Sequence, residues 1–278
     1  MKQYATHPDM RPDWTIDQKW EDYTAENHEV WRILYNRQHK ILENRACDQF
    51  MHGLDELSIT PHELPDFRRL SDMLYKKTRW TIVCVAGLIP GEAFHSHLAK
   101  RQFPITYWIR PKEKIDYLKE PDLFHDLYGH VPMLTDPVYA DYIQEFGKGG
   151  VKATQLGAET QLTRLYWYTI EFGLMNTPKG IRIYGAGIMS SLTESIYSLE
   201  SDIPNRIGFD LERMLRTRYK SNDLQQTYFV IDSFQQLMDA TKPDFAPIYQ
   251  RVKKQEELRP FYILPTDKVY SLGKANKN

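Results

Sequence analysis

The stretch from Glu120 to Pro132 has the sequence EPDLFHDLYGHVP. It places two histidines, His125 and His130, five residues apart among aromatic and acidic neighbours. Imidazole is the commonest neutral nitrogen ligand for a transition metal, and two imidazoles on one short segment lose little entropy when they bind one ion. The stretch therefore predicts a metal site. The alternative is a pair of polar residues on a solvated turn.

The spacing of the two histidines is unusual for an α-helix. Residues five apart point about 140° away from each other when a turn has 3.6 residues, so both imidazoles could not reach one ion without a break. Gly129 permits the positive φ with which helices often end, and Pro132 pushes Val131 out of the α region. We therefore expect His130 to lie just past a helix end, with its side chain turned back toward His125.

A third metal ligand is predicted in a later helical segment. Residues 160–175 are apolar on most sides, which is typical of a buried helix, yet they include Glu171. The residues one turn before it are Trp167 and Tyr168, so the carboxylate shares its face with aromatic rings. A buried carboxylate is expected to be paired, protonated or bound to a metal. The alternatives are an exposed position at the helix edge and an ion pair with Arg164.

The three residues together predict a particular metal. Two histidines and one carboxylate form the triad that leaves open coordination positions on Fe(II), a pattern that oxygen-activating enzymes use. The same ligand set binds Zn²⁺ in peptidases, so a zinc hydrolase is a second hypothesis, although the H-E-x-x-H helix of those enzymes is missing from the sequence. A third hypothesis is a helical interaction protein in which the histidines are incidental.

Composition limits the class of protein. The chain has 278 residues, a formal net charge of -1 and 26% charged residues, which argues against a nucleic-acid partner or a polybasic membrane surface. The N-terminus has no signal-peptide core, and the longest apolar run, around residues 81–90, is too short to span a bilayer, so we expect a cytoplasmic protein. Cys47 and Cys84 are expected to be reduced. Aromatic residues at 13% suit a pocket for a flat ligand.

The pattern along the chain predicts one mainly helical domain with a few short strands. Residues 1–14 are expected to be a loosely ordered arm, and residues 261–278 an extended tail. The predicted elements are a helix at 24–52 ended by Gly53, a helix that starts at Pro61, a strand at 81–86, a helix through Phe94, a strand at 103–109, a helix from Pro137 to Phe146 ended by glycines, a strand at 181–184, a turn at 185–187, a helix capped by Ser191, a strand at 228–231 and a helix at 233–240.

Several motifs carry a resemblance to a known family. They are Val85-Ala86-Gly87-Leu88, Tyr107-Trp108-Ile109-Arg110, the opening stretch, Tyr166-Trp167 with Glu171-Phe172-Gly173-Leu174, and Tyr184-Gly185-Ala186-Gly187 with Ser190-Ser191. With these motifs in this order, roughly from Pro8 to Ala240, the chain resembles the catalytic domain of the pterin-dependent aromatic amino acid hydroxylases, above all its short bacterial members. The resemblance implies the single-domain helical basket of that catalytic type, with no regulatory or tetramerisation domain and a monomeric state.

The resemblance also implies roles for particular residues. It implies that His125, His130 and Glu171 bind Fe(II), and that Arg110 holds the substrate carboxylate. The positions that line the family's amino acid pocket correspond here to Tyr117, Trp167, Phe172, Gly187, Ser190 and Val230. The positions that hold its tetrahydropterin, which is tetrahydrobiopterin or a related pterin, correspond to Gly87, Leu88, Ile89, Phe94, Asp126 and Tyr166.

The implied reaction is hydroxylation of L-phenylalanine to L-tyrosine with O₂. Tryptophan hydroxylases resemble this chain but have a smaller residue at the position of Trp167, and tyrosine hydroxylases have an acid near the position of Val230. An apolar ring of phenylalanine size is therefore favoured, with tryptophan or tyrosine as alternative substrates. The chain departs from animal members at Leu118 and Pro104, where they have threonine and histidine. The implied partners are small molecules, with no nucleic acid and no membrane.

Overall fold

The computed structural model describes residues 4–116 and 120–274. These residues are mainly helical with short strands, which confirms the predicted fold class. The α-helices are α1 (Ala25–Leu42), α2 (Asp48–Glu56), α3 (Phe67–Thr78), α4 (Gly91–Ala99), α5 (Pro137–Gln155), α6 (Glu159–Tyr166), α7 (Ala186–Met189), α8 (Leu192–Glu200), α9 (Leu211–Arg216), α10 (Phe234–Thr241) and α11 (Phe245–Lys253). The strands are β1 (Thr15–Ile16), β2 (Thr81–Val85), β3 (Gln102–Thr106), β4 (Leu174–Thr177), β5 (Gly180–Ile183), β6 (Asn205–Gly208), β7 (Thr227–Ile231) and β8 (Val269–Ser271).

Five shorter helical segments complete the description. Three are 3₁₀ helices, at Trp20–Asp22, Lys112–Lys114 and Val131–Thr135. Two are π-helical turns, which we call the histidine turn (Phe124–His130) and the glutamate turn (Trp167–Glu171). Backbone contacts divide the chain into two compact units, Met1–Lys40 with Asp48–Val151 and Ile41–Cys47 with Lys152–Asn278. The prediction of a single domain stays a prediction.

The first unit contains a three-stranded sheet in the order β1-β2-β3. Strands β2 and β3 are parallel, with Thr81 opposite Gln102 and Val85 opposite Thr106, and α4 makes the connection between them. Pro104 lies within β3, which is an edge strand, and an edge tolerates a residue that cannot donate a backbone hydrogen bond. The connection from β2 to β3 therefore contains the loop after β2 and helix α4.

The second unit contains a five-stranded sheet in the order β5-β4-β7-β6-β8. Strand β7 is parallel to both of its neighbours, β4 and β6. The outer strand β5 is antiparallel to β4, and the outer strand β8 is antiparallel to β6. Every residue of β7 is buried, as expected for a short apolar strand at the centre of a sheet. Val230, a predicted pocket residue, lies in this strand opposite Leu174 of β4.

The long helix predicted at 24–52 is wrong, because the structure has two helices there. The chain adopts a positive φ of 61° at Asn44, and the backbone N–H of Cys47 donates to the carbonyl of Ile183 at 2.8 Å, so the helical bonds are interrupted. Gly53 does not end a helix; it is buried within α2. A Cβ atom on Gly53 would lie 2.1 Å from the carbonyl oxygen of Pro132, so this glycine permits a close approach of two backbones.

Two further helix boundaries differ from the prediction. Helix α3 starts after Asp66, whose carboxylate accepts from the N–H groups of Arg68 and Arg69, and not at Pro61. Helix α5 continues to Gln155 through the glycines that were expected to end it. A Cβ atom on Gly147 would lie 2.6 Å from the Cβ of Leu98, and one on Gly150 would lie 2.2 Å from the His95 ring. These glycines provide room for α4.

The remaining predicted elements agree better with the structure. Strand β2, helix α4, strand β7 and helix α10 are confirmed, and Ser191 accepts from the N–H of Glu194 at the start of α8. The predicted strand at 103–109 is shorter and ends at Thr106, and the predicted turn at 185–187 is wrong because Gly185 caps the short helix α7. Both cysteines are free and buried. In the part of the chain that the structure describes, no helix is long and apolar enough to cross a bilayer.

Candidate metal centre and substrate pocket

The histidine turn solves the spacing problem of His125 and His130. It is a π-helical turn, and i→i+5 hydrogen bonding places residues five apart beside each other. The two imidazole centroids are 5.1 Å apart, with an angle of 81° between the rings. The predicted helix end at Gly129 is therefore wrong: the chain stays helical through Gly129, and Pro132 lies in the 3₁₀ segment that follows.

A buried ion pair holds the start of the histidine turn. The side chain of Asp122 is inaccessible to solvent, and its carboxylate accepts from the backbone N–H of His125 at 3.1 Å. The same carboxylate accepts from Arg110 at three points: the backbone N–H at 3.0 Å, Nε at 2.8 Å and Nη2 at 2.9 Å. Such a bidentate arrangement fixes the plane of the guanidinium. Asp122 thus connects a predicted iron ligand with the predicted carboxylate-binding residue.

Aromatic packing holds the other face of the histidine turn. Phe124 and Tyr128 are stacked at a centroid distance of 4.8 Å and an angle of 12°. The indole of Trp31 in α1 meets both rings edge-on, at 5.6 and 6.5 Å, and Phe50 in α2 meets Tyr128 at 5.5 Å. All four side chains are buried. The orientation of the turn is therefore fixed by rigid rings, which leave its histidines few alternative positions.

Packed rings connect Phe94, a predicted pterin residue of the first unit, with His130, a predicted metal ligand. Phe94 in α4 is in edge-on contact with Phe103 at 6.3 Å, and Phe103 lies 5.0 Å from the ring of His130. Gly87, which has a φ of 150°, Leu88 and Ile89 form the loop between β2 and α4. Tyr166, the remaining predicted pterin residue, is the last residue of α6 in the second unit.

Asp126 has an environment of its own within the histidine turn. Its carboxylate accepts from the backbone N–H of Thr106, the last residue of β3, at 2.8 Å. Loss of hydration raises the pKa of this carboxyl, and the neighbouring His125 opposes that shift. Because its carboxylate is bonded to the backbone of Thr106, the Asp126 side chain faces strand β3, which also carries Phe103.

The glutamate turn carries Glu171 at its last position. The i→i+5 pattern continues to the next residue, because the N–H of Phe172 donates to the carbonyl of Trp167 at 2.9 Å. Glu171 is 8% exposed, so the prediction of a buried carboxylate is confirmed. The alternative ion pair with Arg164 is wrong: the Arg164 guanidinium pairs with Glu257, and its Nη1 donates to the carbonyl of Leu215 at 3.1 Å.

Two glycines, Gly185 and Gly187, lie against the backbone and the carboxylate of Glu171. A Cβ atom on Gly185 would lie 2.4 Å from the nitrogen of Gly173 and 2.5 Å from the carbonyl oxygen of Glu171. A Cβ atom on Gly187 would lie 2.8 Å from Oε2 of Glu171 and 3.0 Å from the ring of Phe172. A side chain at either position would displace the glutamate. These glycines are therefore required for close approach.

The predicted pocket residues of the second unit lie around the glutamate turn. Trp167 is half-buried, and its ring lies 4.6 Å from that of Phe172 and is stacked on Tyr219 at 4.2 Å. Ser190 ends α7, where its hydroxyl donates to the carbonyl of Ala186 at 2.9 Å. Tyr117 and Leu118 lie outside the described residues.

The three predicted iron ligands lie close enough together to bind one metal ion. His125, His130 and Glu171 each offer one ligand atom, and these atoms lie within 4.8 Å of one another. Across residues 4–116 and 120–274, no other set of three or more histidine, cysteine, aspartate or glutamate side chains meets this criterion. Two nitrogen donors and one oxygen donor are the set that non-haem Fe(II) accepts.

Three residues with contacts to this site were not singled out from the sequence. Asp122 was quoted only as part of the motif, although its position three residues before His125 is the spacing of an N-cap, which could have indicated its role. Phe103 had no distinguishing signal, because an apolar residue in a strand is ordinary core. Gln225 accepts from the indole Nε1 of Trp167 at 2.8 Å, and a single glutamine in a loop carries no pattern.

Comparison with known proteins defines the class. The family model described as biopterin-dependent aromatic amino acid hydroxylase matches residues 16–259, so the chain belongs to this family. It is 55% identical to the phenylalanine-4-hydroxylase of Caulobacter vibrioides over 266 residues, which cover 96% of this chain and 90% of that protein. It is 54% identical to the phenylalanine-4-hydroxylase of Chromobacterium violaceum over 261 residues, which cover 94% and 88%.

Solved structures of the Chromobacterium violaceum phenylalanine hydroxylase have the same fold. A cobalt-bound crystal structure has a TM-score of 0.91 at 55% identity and covers 92% of this chain and 93% of that one. The iron- and phenylalanine-bound structure has a TM-score of 0.89 at 53% identity and covers 93% and 94%. The chain is therefore similar to this enzyme in both sequence and fold.

Proposed function

We propose that this chain is a pterin- and Fe(II)-dependent monooxygenase that converts L-phenylalanine to L-tyrosine with O₂. The observation that carries the proposal is the combination of family membership over residues 16–259 with 55% identity to a phenylalanine-4-hydroxylase over 96% of the chain. An iron- and phenylalanine-bound structure of a relative at 53% identity supports the metal and the substrate. When bound, iron and tetrahydropterin together supply the reductive activation of O₂ that a closed-shell aromatic ring cannot provide.

The metal ligands in this proposal are His125, His130 and Glu171. Their ligand atoms lie within 4.8 Å of one another, and the donor set suits Fe(II). The protein holds these donor groups in position before the metal binds. The π-helical turn keeps the two imidazole centroids 5.1 Å apart, and the nearby glycines at 185 and 187 restrict the Glu171 carboxylate. Preorganisation of this kind lowers the entropy lost on binding the ion.

The proposed role of Arg110 is to bind the carboxylate of the amino acid. A guanidinium has five N–H donors, and the Arg110 side chain uses three of them, two on Asp122 and one on the carbonyl of Ile115 at 3.3 Å. One N–H remains on each terminal nitrogen, which is what a second bidentate carboxylate contact requires. Asp122 would then orient Arg110 and reduce the cost of keeping its charge in a buried position.

The proposed pocket for the aromatic ring consists of Trp167, Phe172, Gly187, Ser190 and Val230, together with Tyr117. The described members are contributed by the glutamate turn, α7 and β7, and Val230 gives the pocket an apolar wall. A wall of this kind does not compensate the loss of hydration of a phenolic hydroxyl, which favours phenylalanine over tyrosine. Differences of one small group in such pockets are worth about 1–3 kcal/mol, so some turnover of other aromatic amino acids is expected.

The proposed pterin site is formed by Gly87, Leu88, Ile89, Phe94, Asp126 and Tyr166. Phe94 offers a ring for stacking on a flat heterocycle, and its edge-on contact with Phe103 fixes its position. The loop before α4 offers backbone groups for hydrogen bonds, because Gly87 has a positive φ and no side chain that would cover the main chain. We further propose that the protein acts as a cytoplasmic monomer and is not divided into separate domains.

The test is an assay of Fe(II)-loaded protein with tetrahydropterin, O₂ and each aromatic amino acid, with identification of the products. Tyrosine as the main product, formed only when all components are present, is expected. His125→Ala and Glu171→Ala should lose the bound iron and, with it, at least about 100-fold in activity, since a metal site with two protein ligands is weak. Glu29→Ala, which removes a partly exposed carboxylate that pairs with Arg32 on α1, is the matched control and should retain both the iron and the activity.

Three outcomes of the assay and of the iron analysis would contradict parts of the proposal. If 5-hydroxytryptophan is the main product, the substrate assignment fails while the class stands. If the two ligand variants retain as much iron as the unmodified protein, the proposed triad is wrong. Turnover without O₂ or pterin would instead favour the zinc hydrolase hypothesis.

A further inference from the structure

The indole of Trp167 is held in place by a hydrogen-bonded network behind the proposed pocket. Its Nε1 donates to Oε1 of Gln225 at 2.8 Å. The ring is also stacked on Tyr219 with an angle of 17° and is in tilted contact with Phe172. The indole is therefore restrained by one hydrogen bond and by contacts with two aromatic rings. Its orientation depends on where Gln225 lies.

The amide of Gln225 has only one orientation that satisfies its neighbours. Its Nε2 donates to the carbonyls of Lys220 and Asp223, each at 3.1 Å, while Oε1 receives the indole N–H. Rotation of the amide by half a turn would oppose an NH₂ group to the indole N–H and an oxygen to two carbonyl oxygens. Gln225 is 4% exposed, so water could not compensate these contacts. The side chain is thus a fixed acceptor.

The backbone of Gln225 is fixed by a buried carboxylate. Its N–H donates to Oε1 of Glu194 at 3.3 Å, and the hydroxyl of Tyr228 in β7 donates to the same oxygen. Glu194 is 5% exposed, and none of the ion pairs within the described residues includes it. Burial raises the pKa of Glu194, and the hydrogen bonds from Tyr228 and Gln225 oppose the shift. A buried carboxylate without a cationic partner lowers the stability of the folded state. Carboxyl groups with shifted pKa values are common at functional sites.

A second set of contacts ties the same loop to the glutamate turn. The hydroxyl of Tyr168, next to Trp167, donates to the carbonyl of Arg218 at 2.7 Å. Tyr219 follows directly and stacks on the indole. The loop between α9 and β7 therefore contacts the glutamate turn through its backbone, a ring and an amide.

We propose that Gln225, itself held by Glu194 and Tyr228, is a positioning residue that fixes the Trp167 indole and so sets which aromatic ring the pocket accepts. This inference rests on the proposed function, because it takes Trp167 as a wall of the substrate pocket. A fixed indole leaves room for a six-membered ring and crowds a bicyclic one. If the indole is released, it can rotate, so phenylalanine loses contact and a larger ring gains room.

The test compares L-phenylalanine and L-tryptophan as substrates of Gln225→Leu. This change removes the acceptor of the indole N–H at nearly constant volume. We expect KM for phenylalanine to rise, iron content to stay unchanged, and the ratio of kcat/KM for phenylalanine to that for tryptophan to fall about five- to twentyfold. Gln226→Leu is the matched control, because its half-buried side chain makes no hydrogen bond within the described residues, and it should keep the ratio within about twofold.

A double-mutant cycle separates positioning from general loosening. Trp167→Phe has no indole N–H, so adding Gln225→Leu to it should change the ratio by less than about twofold. If Gln225→Leu lowers the ratio equally in the unmodified protein and in Trp167→Phe, Gln225 does not act through the indole N–H. If Gln225→Leu does not fold, Gln225→Asn withdraws the acceptor by one methylene while it keeps a polar group in the buried position, and the same fall is expected.

The remaining outcomes distinguish this inference from the proposed function. If the unmodified protein forms no tyrosine from phenylalanine, the proposed function fails. If it does form tyrosine and Gln225→Leu keeps the ratio of the unmodified protein, only the role of Gln225 is wrong.

Discussion

The histidine turn and the glutamate turn have the same backbone form and are stabilised in opposite ways. Both are short π-helical turns that end on a proposed iron ligand. The first is held by a charged pair, Arg110 with Asp122, and by stacked rings. The second has close contacts at Gly185 and Gly187. It also has a hydrogen-bond chain behind Trp167 through the side chains of Gln225, Glu194 and Tyr228, and none of these three is in an ion pair among the described residues.

The difference has a chemical reason in the proposed roles. The histidine turn lies next to Arg110, which has to keep a positive charge in a buried position to bind a carboxylate, so a permanent counter-charge is needed there. The glutamate turn carries its own negative charge in Glu171. A second charge beside Glu171 would compete with the metal, and the glycines at positions 185 and 187 place no charged side chain there.

The largest effect is expected from Asp122→Ala. This change leaves the Arg110 guanidinium, which is 7% exposed, without its counter-charge, and we expect the free energy of unfolding to fall by about 3–5 kcal/mol. Urea unfolding followed by circular dichroism measures it. Glu29→Ala breaks an exposed pair with Arg32 and should cost less than about 1 kcal/mol. Equal losses in the two variants would mean that the histidine turn does not depend on the buried pair.

An intermediate effect is expected from Gly185→Ala. The new Cβ would lie 2.4 Å from one backbone atom and 2.5 Å from another, and backbone cannot move aside as a flexible side chain can. We expect a loss of about 1–3 kcal/mol in the free energy of unfolding, together with weaker iron binding as Glu171 shifts. Denaturation and metal analysis of the purified variant measure both.

Gly149→Ala is the matched control for that substitution. A Cβ atom at Gly149 meets nothing within 4 Å, and the residue lies inside α5, so alanine should stabilise the helix by up to about 1 kcal/mol. If Gly185→Ala behaves like Gly149→Ala, the close approach around Glu171 is not what holds the glutamate turn.

The smallest effect is a change in the pH dependence of stability in Glu194→Gln. Burial raises the pKa of Glu194 above its ordinary value of 4.5. The folded state therefore favours the protonated carboxyl, and that contribution to stability is complete below pH 4.5 and is lost as the pH rises through the folded-state pKa. The variant does not titrate there, so its stability relative to the unmodified protein should increase over this range. Urea unfolding at several pH values measures the difference in the free energy of unfolding between the variant and the unmodified protein. A difference that does not change with pH would contradict the prediction.

The elements that sequence analysis predicted well are those with local signals. Strand β2 is a β-branched run, and the Ser191 cap at α8 lies in a four-residue motif. The errors occurred where a tertiary contact decides the backbone. Gly53 and Gly147 were expected to end helices, yet both lie inside helices because another backbone or side chain packs against them at close range. A glycine that permits a close approach has the same sequence signature as one that ends a helix.

The sequence by itself determined the class of this protein and the identity of its proposed iron ligands. The spacing of His125 and His130 indicated a metal, and the aromatic surroundings of Glu171 indicated a buried carboxylate. Only the tertiary structure decided how five-residue spacing becomes adjacency, through a π-helical turn that no local propensity predicts. It also decided that Asp122 holds Arg110 and that Gln225 holds Trp167, because these partners lie 12 and 58 residues apart and folding alone brings them together.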